Sequence, residues 1–127
     1  MGGWGTKPWD NDIAADWFMH MMDATGLAEY VEKTISQELG DDDPGARADE
    51  IRAAVSILVL LGHIFVWTED WEKHLKLAIS RLEEILAENY GYGAEEQIRA
   101  EIELLKLRLE RKPEDRMEKV KWWHFDE

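Results

Sequence analysis

The chain has 127 residues, enough for one domain that buries roughly two-thirds of its unfolded surface. Its content of 45% hydrophobic residues and its seven tryptophans exclude an intrinsically disordered chain. The absence of cysteine excludes disulfides, thiolate metal sites and cysteine nucleophiles. A formal net charge of −13 argues against binding to nucleic-acid phosphates or to anionic lipid.

No export or membrane signal is visible. The first residues lack a basic region followed by an apolar run, so they do not resemble a secretory signal. The longest apolar stretch, Ala53 to Trp67, is shorter than the roughly 20 residues that a membrane span requires. We therefore expect a cytoplasmic protein with no membrane contact, and we expect this stretch to be a buried core helix.

Two helices are predicted in the first third of the chain. The first covers Asp12 to Asp23, and its spacing allows two inward faces, either Ile13, Trp17 and Met21 or Phe18 and Met22. The second carries an apolar stripe from Leu27 to Leu39. Gly40 is expected to end it in the left-handed conformation that glycine adopts without strain.

An acidic loop is predicted at residues 41–45. Residues 1–50 carry a net charge of −9, against −4 for residues 51–127. Asp41, Asp42 and Asp43 repel one another, and the Pro-Gly pair that follows breaks helix.

Three more helices follow from apolar periodicity. The first covers about residues 46–66, the second runs from a cap at Thr68 to about residue 90, and the third covers about residues 94–111. Pro113 can begin a short last turn of helix. No repeat of solenoid length is present. The fold expected for residues 1–127 is therefore all-α, a single irregular bundle of five or six helices.

The opening residues predict an arm that docks on this bundle. Glycines at positions 2, 3 and 5 permit tight turns around Trp4. Trp4 and Trp9 supply enough apolar area to hold residues 1–11 against the helices. Asp10 or Asn11 can then cap the first helix.

This opening resembles a bacterial family of small proteins, domain-of-unknown-function family 4259. Its motif is Met-Gly-x-Trp-Gly, then an aromatic, an acid, Asn-Asp and an Ala-x-Asp-Trp run. The matching positions cover about seventeen residues and are Met1, Gly2, Trp4, Gly5, Trp9, Asp10, Asn11, Asp12, Ala15, Asp16 and Trp17. Trp9 stands where phenylalanine is expected. The resemblance implies a compact, mostly helical, cytoplasmic bacterial domain and supplies no activity.

One constellation could bind a metal ion. Asp12, Asp16 and His20 are spaced by four, so a helix would align them on one face. Two carboxylates and an imidazole can hold a divalent cation with open coordination positions. The alternative is a solvated face on which Asp16 pairs with His20. No second metal motif accompanies them, so no catalytic residue and no cofactor is assigned.

A second cluster combines His63 with Trp67, Trp71 and His74. His63 lies in the apolar run, where burial could make it an acid or base, or where it could simply form a hydrogen bond inside the core. The two tryptophans are expected in the core.

Two features suit a protein partner. The acidic region around Asp41, Asp42 and Asp43 could steer a basic protein. Trp122 and Trp123, in the aromatic C-terminal tail at 113–127, could anchor a partner, or could cover a helix groove or pack across a homodimer. The function expected is a small acidic protein-interaction module, one version being inhibitor-like or immunity-like. The alternative is a metal-binding protein or metal-dependent enzyme that uses the Asp12–Asp16–His20 face.

Overall fold

A computed structural model describes residues 12–61, 67 and 70–110, and this part of the chain is helical with no strand. The all-α prediction is confirmed. The described residues do not include the predicted arm at 1–11, His63, the predicted helix cap Thr68, or the tail at 113–127 with Trp122 and Trp123. The helices are α1 (Asp12–Thr25), α2 (Leu27–Ile35), α3 (Pro44–Leu61), α4 (Trp71–Ala87) and α5 (Glu95–Glu110).

α1 and α2 are joined by one glycine. Gly26 adopts a φ of 62°, a left-handed conformation that strains other residues and here redirects the chain between the two helices. Met22, from one of the two faces predicted for α1, is only 2% exposed, and Met21, from the other, packs against the core. Phe18 is half-buried, and Ile13 and Trp17 are 83% and 61% exposed. The inward side of α1 therefore combines residues from both predicted faces.

α2 ends at Ile35, earlier than the predicted Leu39. Ser36 is its C-terminal cap, and the Ser36 hydroxyl donates a 2.6 Å hydrogen bond to the Glu32 carbonyl oxygen. Gly40 has the predicted left-handed φ, 70°, but it lies in the connection beyond the helix. Leu39 is nevertheless buried, so the apolar stripe continues after the helix stops.

α3 begins at Pro44, so the predicted start at residue 46 and the helix-breaking role of Pro44-Gly45 are wrong. Proline is favoured at the first position of a helix because its missing N–H would have no partner there. Asp43 accepts a 3.2 Å hydrogen bond from the Ala46 N–H through Oδ1, as an N-terminal capping side chain does. The acidic loop therefore ends at Asp43.

α4 is the central helix and packs against α2, α3 and α5. Seven of its side chains are buried, and burying each large aliphatic one contributes about 1.5–3 kcal/mol. They are Trp71, His74, Leu75, Ala78, Ile79, Leu82 and Ile85.

α4 ends before the Tyr90-Gly91-Tyr92-Gly93 segment. Asn89 is left-handed, with a φ of 64°. The Tyr90 N–H donates to the Ile85 carbonyl oxygen at 3.0 Å, and the Asn89 N–H donates to that of Leu86 at 3.2 Å. This pair of bonds is the Schellman motif, with asparagine at the position that glycine usually occupies.

None of the helices within the described ranges has the length and hydropathy needed to cross a membrane.

Candidate functional site

A groove of about 490 Å³ lies where the α2–α3 connection meets the C-terminal end of α4. We call it the acidic groove, because four of its lining side chains are carboxylates and none is a cation. Its lining residues are Glu38, Leu39, Gly40, Asp41, Pro44, Glu84, Glu88 and Tyr90.

Arg81 of α4 fixes one wall of the acidic groove. Its guanidinium donates to the carbonyl oxygens of Ile35 at 3.0 Å and Ser36 at 3.4 Å, so it satisfies the end of α2. It also donates to Glu84 Oε1 at 3.3 Å, and Glu84 Oε2 accepts a 3.5 Å hydrogen bond from the Leu39 N–H. The connection after α2 is thereby tied to α4, so the groove has a fixed frame.

Glycine at position 45 lets the other wall approach α3 closely. A Cβ atom on Gly45 would lie 3.3 Å from the Tyr92 hydroxyl oxygen and 4.0 Å from Tyr90 Cδ1. The two tyrosine rings meet edge to face, with centroids 6.0 Å apart. Tyr90 is half-buried and presents an aromatic surface within an acidic lining, which suits contact with a guanidinium or ammonium group.

The side-chain charges in the groove lining are negative. α4 directs its C-terminal, partially negative end toward the groove, whereas α3 begins at Pro44 in the lining and directs its partially positive end there. Arg81 pairs with the lining residue Glu84 at 3.3 Å. Arg47 donates to the Glu38 carbonyl oxygen at 3.1 Å and lies 3.7 Å from Glu50. Its charge is therefore already paired on the α3 side.

Of the residues predicted from sequence to bind a partner, Asp41 lines the groove, and Asp42 and Asp43 are exposed beside it. Glu84 and Glu88 were missed by the sequence analysis. Glu84, in α4, and Glu88, at its C-cap, have the spacing of ordinary exposed acids, and nothing in that spacing links them to a loop more than forty positions earlier.

A buried histidine lies near the N-terminal end of α4. The Trp67 indole N–H donates a 3.1 Å hydrogen bond to His74 Nδ1, and these side chains are 3% and 2% exposed. Because Nδ1 is the acceptor, the neutral imidazole carries its proton on Nε2. Nε2 is buried without a hydrogen-bond partner and lies 3.7 Å from Glu32 Oε2.

The surroundings of this histidine lower two pKa values, those of His74 and Glu32. Burial lowers the pKa of His74 below its ordinary value, and the Glu32 carboxylate opposes that shift only in part. Lys73 Nζ lies 2.6 Å from Glu32 Oε2 and holds the pKa of the Glu32 carboxyl below its ordinary value.

Glu32, Asp70 and His74 are the one set of three potential metal-ligating side chains in the described ranges whose ligand atoms lie within 4.8 Å of one another. Two contacts oppose a metal ion there. His74 Nε2 bears the proton in the tautomer that Trp67 selects, whereas a ligating nitrogen needs its lone pair. Lys73 already neutralises Glu32. The arrangement suits a proton rather than a metal.

Asp12, Asp16 and His20 are exposed along α1, and the structure does not bring them into such a set. Metal binding by these residues stays a prediction. Of the second cluster, Trp67, Trp71 and His74 are buried, as expected for the two tryptophans.

A second groove, of about 690 Å³, runs between α2 and α3. Its lining is largely apolar and includes Leu27, Tyr30, Val31, Ala54 and Ile57. Tyr30 is 69% exposed there, although its place in the apolar stripe of α2 predicted burial.

The chain matches no protein-family model, no curated protein and no solved structure. The resemblance of its opening residues to family 4259 stays a prediction, and the functional argument depends on the geometry of the described residues.

Proposed function

We propose that this protein is a small acidic interaction module of the bacterial cytoplasm that binds a basic protein partner through the acidic groove. The observation that supports the proposal most strongly is the groove lining, which contains Tyr90 and four carboxylates and no cationic side chain; the carboxylates are those of Glu38, Asp41, Glu84 and Glu88. An inhibitor-like or immunity-like role is one form of this function, in which the acidic surface covers a basic site on its partner.

The physical basis is charge complementarity. Exposed carboxylates attract lysine and arginine side chains over about 8–10 Å at physiological salt, which raises the association rate. A fixed groove loses less side-chain entropy on binding than a mobile surface does. The hydrogen bonds between Arg81, Glu84 and Leu39 supply that fixed frame.

The experiment uses a ten-residue arginine peptide as a basic probe, with binding measured by calorimetry at low and at physiological salt. The groove variant replaces Glu38 and Glu88 with glutamine and Asp41 with asparagine. We expect this variant to bind about tenfold more weakly and to have a smaller salt dependence, as three lost rim contacts of roughly 0.5 kcal/mol each imply.

The matched control removes three exposed acids from α5, through Glu96→Gln, Glu103→Gln and Glu110→Gln. It changes the net charge by the same amount and leaves the acidic groove intact. Equal loss of affinity in the two variants would mean that the probe responds to net charge alone, and the proposal would then be wrong.

The adjacent loop provides a second comparison. A triple variant should also weaken binding and reduce its salt dependence; it replaces Asp41, Asp42 and Asp43 with asparagine. Asparagine caps a helix about as well as aspartate, so the start of α3 should persist in this triple variant. Unchanged affinity and unchanged salt dependence would exclude the loop from the binding surface.

A further inference from the structure

A buried acceptor–donor pair joins Trp67 to the N-terminal end of α4. Trp67 belongs to the chain between α3 and α4, and its indole N–H donates to His74 Nδ1 at 3.1 Å. The two rings meet edge to face at 88°, with their centroids 6.2 Å apart. We call the group formed by Trp67, His74, Glu32, Asp70 and Lys73 the histidine latch.

The other ring nitrogen of the imidazole, Nε2, lies near two carboxylates that favour a positive charge on the ring. Nε2 is buried, has no hydrogen-bond partner and faces Glu32 Oε2 of α2 at 3.7 Å. Asp70 lies immediately before α4 and within 4.8 Å of the same atoms. Lys73 of α4 opposes the added charge, although it is held by Glu32. These are the charged groups that act on the ring from the described part of the chain.

Protonation changes the hydrogen bonding of Trp67 directly. A solvent proton forms one N–H bond at Nδ1, so both ring nitrogens become donors. The indole N–H is also a donor and cannot remain opposite Nδ1–H. A buried donor that loses its acceptor destabilises the folded state, so Trp67 must find another partner or reach water.

We infer that the histidine latch is a proton-operated switch, in which protonation of His74 releases Trp67 from its buried site while Glu32 and Asp70 hold the imidazolium. This inference is independent of the proposed function, because neither Trp67 nor His74 lines the acidic groove. Burial lowers the pKa of His74 from its ordinary value of 6.5, so release occurs at a pH below that value.

The test follows two signals of the full chain by NMR while the pH is lowered from neutral. The ring nitrogen shifts of His74 report which nitrogen carries the proton, and the indole N–H signal of Trp67, identified by its absence in Trp67→Phe, reports the hydrogen bond. We expect the proton on Nε2 at neutral pH, a midpoint below 6.5, and a Trp67 shift with the same midpoint.

Two variants separate the latch from general acid effects. His74→Asn places an amide oxygen near the position of Nδ1, so it can still accept from Trp67 but cannot titrate. The Trp67 signal should then become independent of pH over this range. Trp67→Phe removes the donor, so protonation no longer breaks a hydrogen bond and the His74 midpoint should rise.

Three results would overturn the inference. The first is a proton on Nδ1 at neutral pH. The second is a Trp67 signal that does not change through the His74 titration, or that changes equally in His74→Asn. The third is zinc binding at neutral pH that displaces the Nε2 proton, which would make the group a metal site.

Discussion

The two ends of α4 use the same kinds of side chain for opposite purposes. Near its N-terminal end, Glu32, Lys73 and His74 form a compact cluster in which the imidazole is only 2% exposed. At its C-terminal end, Glu84 and Glu88 belong to an open groove with no cation in its lining. The N-terminal end pairs its charges with one another, whereas at the C-terminal end Arg81 pairs with Glu84 and the Glu88 carboxylate stays exposed.

Burial explains the difference. A charge removed from water must be balanced inside the protein, so the N-terminal end couples protonation to packing. Exposed carboxylates remain hydrated and need no internal partner, so a binding surface can be formed from them at little cost in stability. We therefore expect changes at the N-terminal end to alter folding and pH response, and changes at the C-terminal end to alter binding.

The largest predicted effect compares one aromatic side chain from each end. Trp71→Ala, at a residue 8% exposed, should lower the free energy of unfolding by about 3–5 kcal/mol through cavity formation. Tyr92→Ala, at a residue 71% exposed, should change it by less than about 0.5 kcal/mol. Urea denaturation measures both, and similar losses would contradict the contrast between the two ends.

The pH dependence of stability gives the next largest effect. The folded pKa of His74 is lowered, so below 6.5 the unfolded chain binds a proton that the folded chain does not. The contribution of neutral His74 is fully present above pH 6.5 and is lost as the pH falls toward the folded pKa, with a slope of at most about 1.4 kcal/mol per pH unit.

His74→Asn isolates this contribution, because the carboxylates titrate in both proteins. Denaturation curves at neutral pH and at about pH 5.5 should give a smaller loss for the variant than for the natural chain. Equal losses would mean that His74 titrates alike in the folded and unfolded states.

A smaller effect is expected within the acidic groove. Glu84→Ala removes the acceptor of hydrogen bonds from Arg81 and the Leu39 N–H, so it should cost about 1 kcal/mol. Glu88→Ala removes a neighbouring exposed carboxylate and should leave the unfolding midpoint nearly unchanged. If Glu84→Ala also leaves the unfolding midpoint nearly unchanged, the frame of the groove does not depend on Glu84.

The smallest predicted effects are opposite shifts in the pKa of His74. Glu32→Gln removes a carboxylate that favours the imidazolium and should lower that pKa. Lys73→Met removes a cation that opposes it and should raise that pKa. NMR titration of the His74 ring distinguishes the two directions, and shifts of the same sign would show that the variants act through a change in packing.

Local sequence patterns predicted the helices well and their ends less well. Periodicity located α4 and α5 because their apolar faces are continuous. It left two faces open for α1, because both Trp17 and Met22 fit a helical stripe. The ends of α2 and α3 depend on side-chain contacts, namely Arg81 on the Ile35 carbonyl oxygen and Asp43 on the Ala46 N–H, which apolar spacing does not encode.

The candidate sites were predictable only in part for the same reason. Asp41 was identified by its place in an acidic run, whereas Glu84 joins it through tertiary packing across forty-three positions. Trp67 and His74 were recognised as a cluster, but the tautomer and the unpartnered Nε2 depend on the distance between the two rings. Sequence gives the residue types at these sites, and the packing of α2 against α4 determines their chemistry.

The most direct test of the central claim is to map where the arginine peptide binds by NMR titration of the labelled protein. We predict that the largest shift changes fall on the backbone amides of residues 38–41 and 84–90, with little change at His74. The assignment of the acidic groove as the binding surface would be contradicted if the largest shift changes fell on the apolar groove between α2 and α3. Small shift changes spread evenly over all exposed acids would contradict it as well.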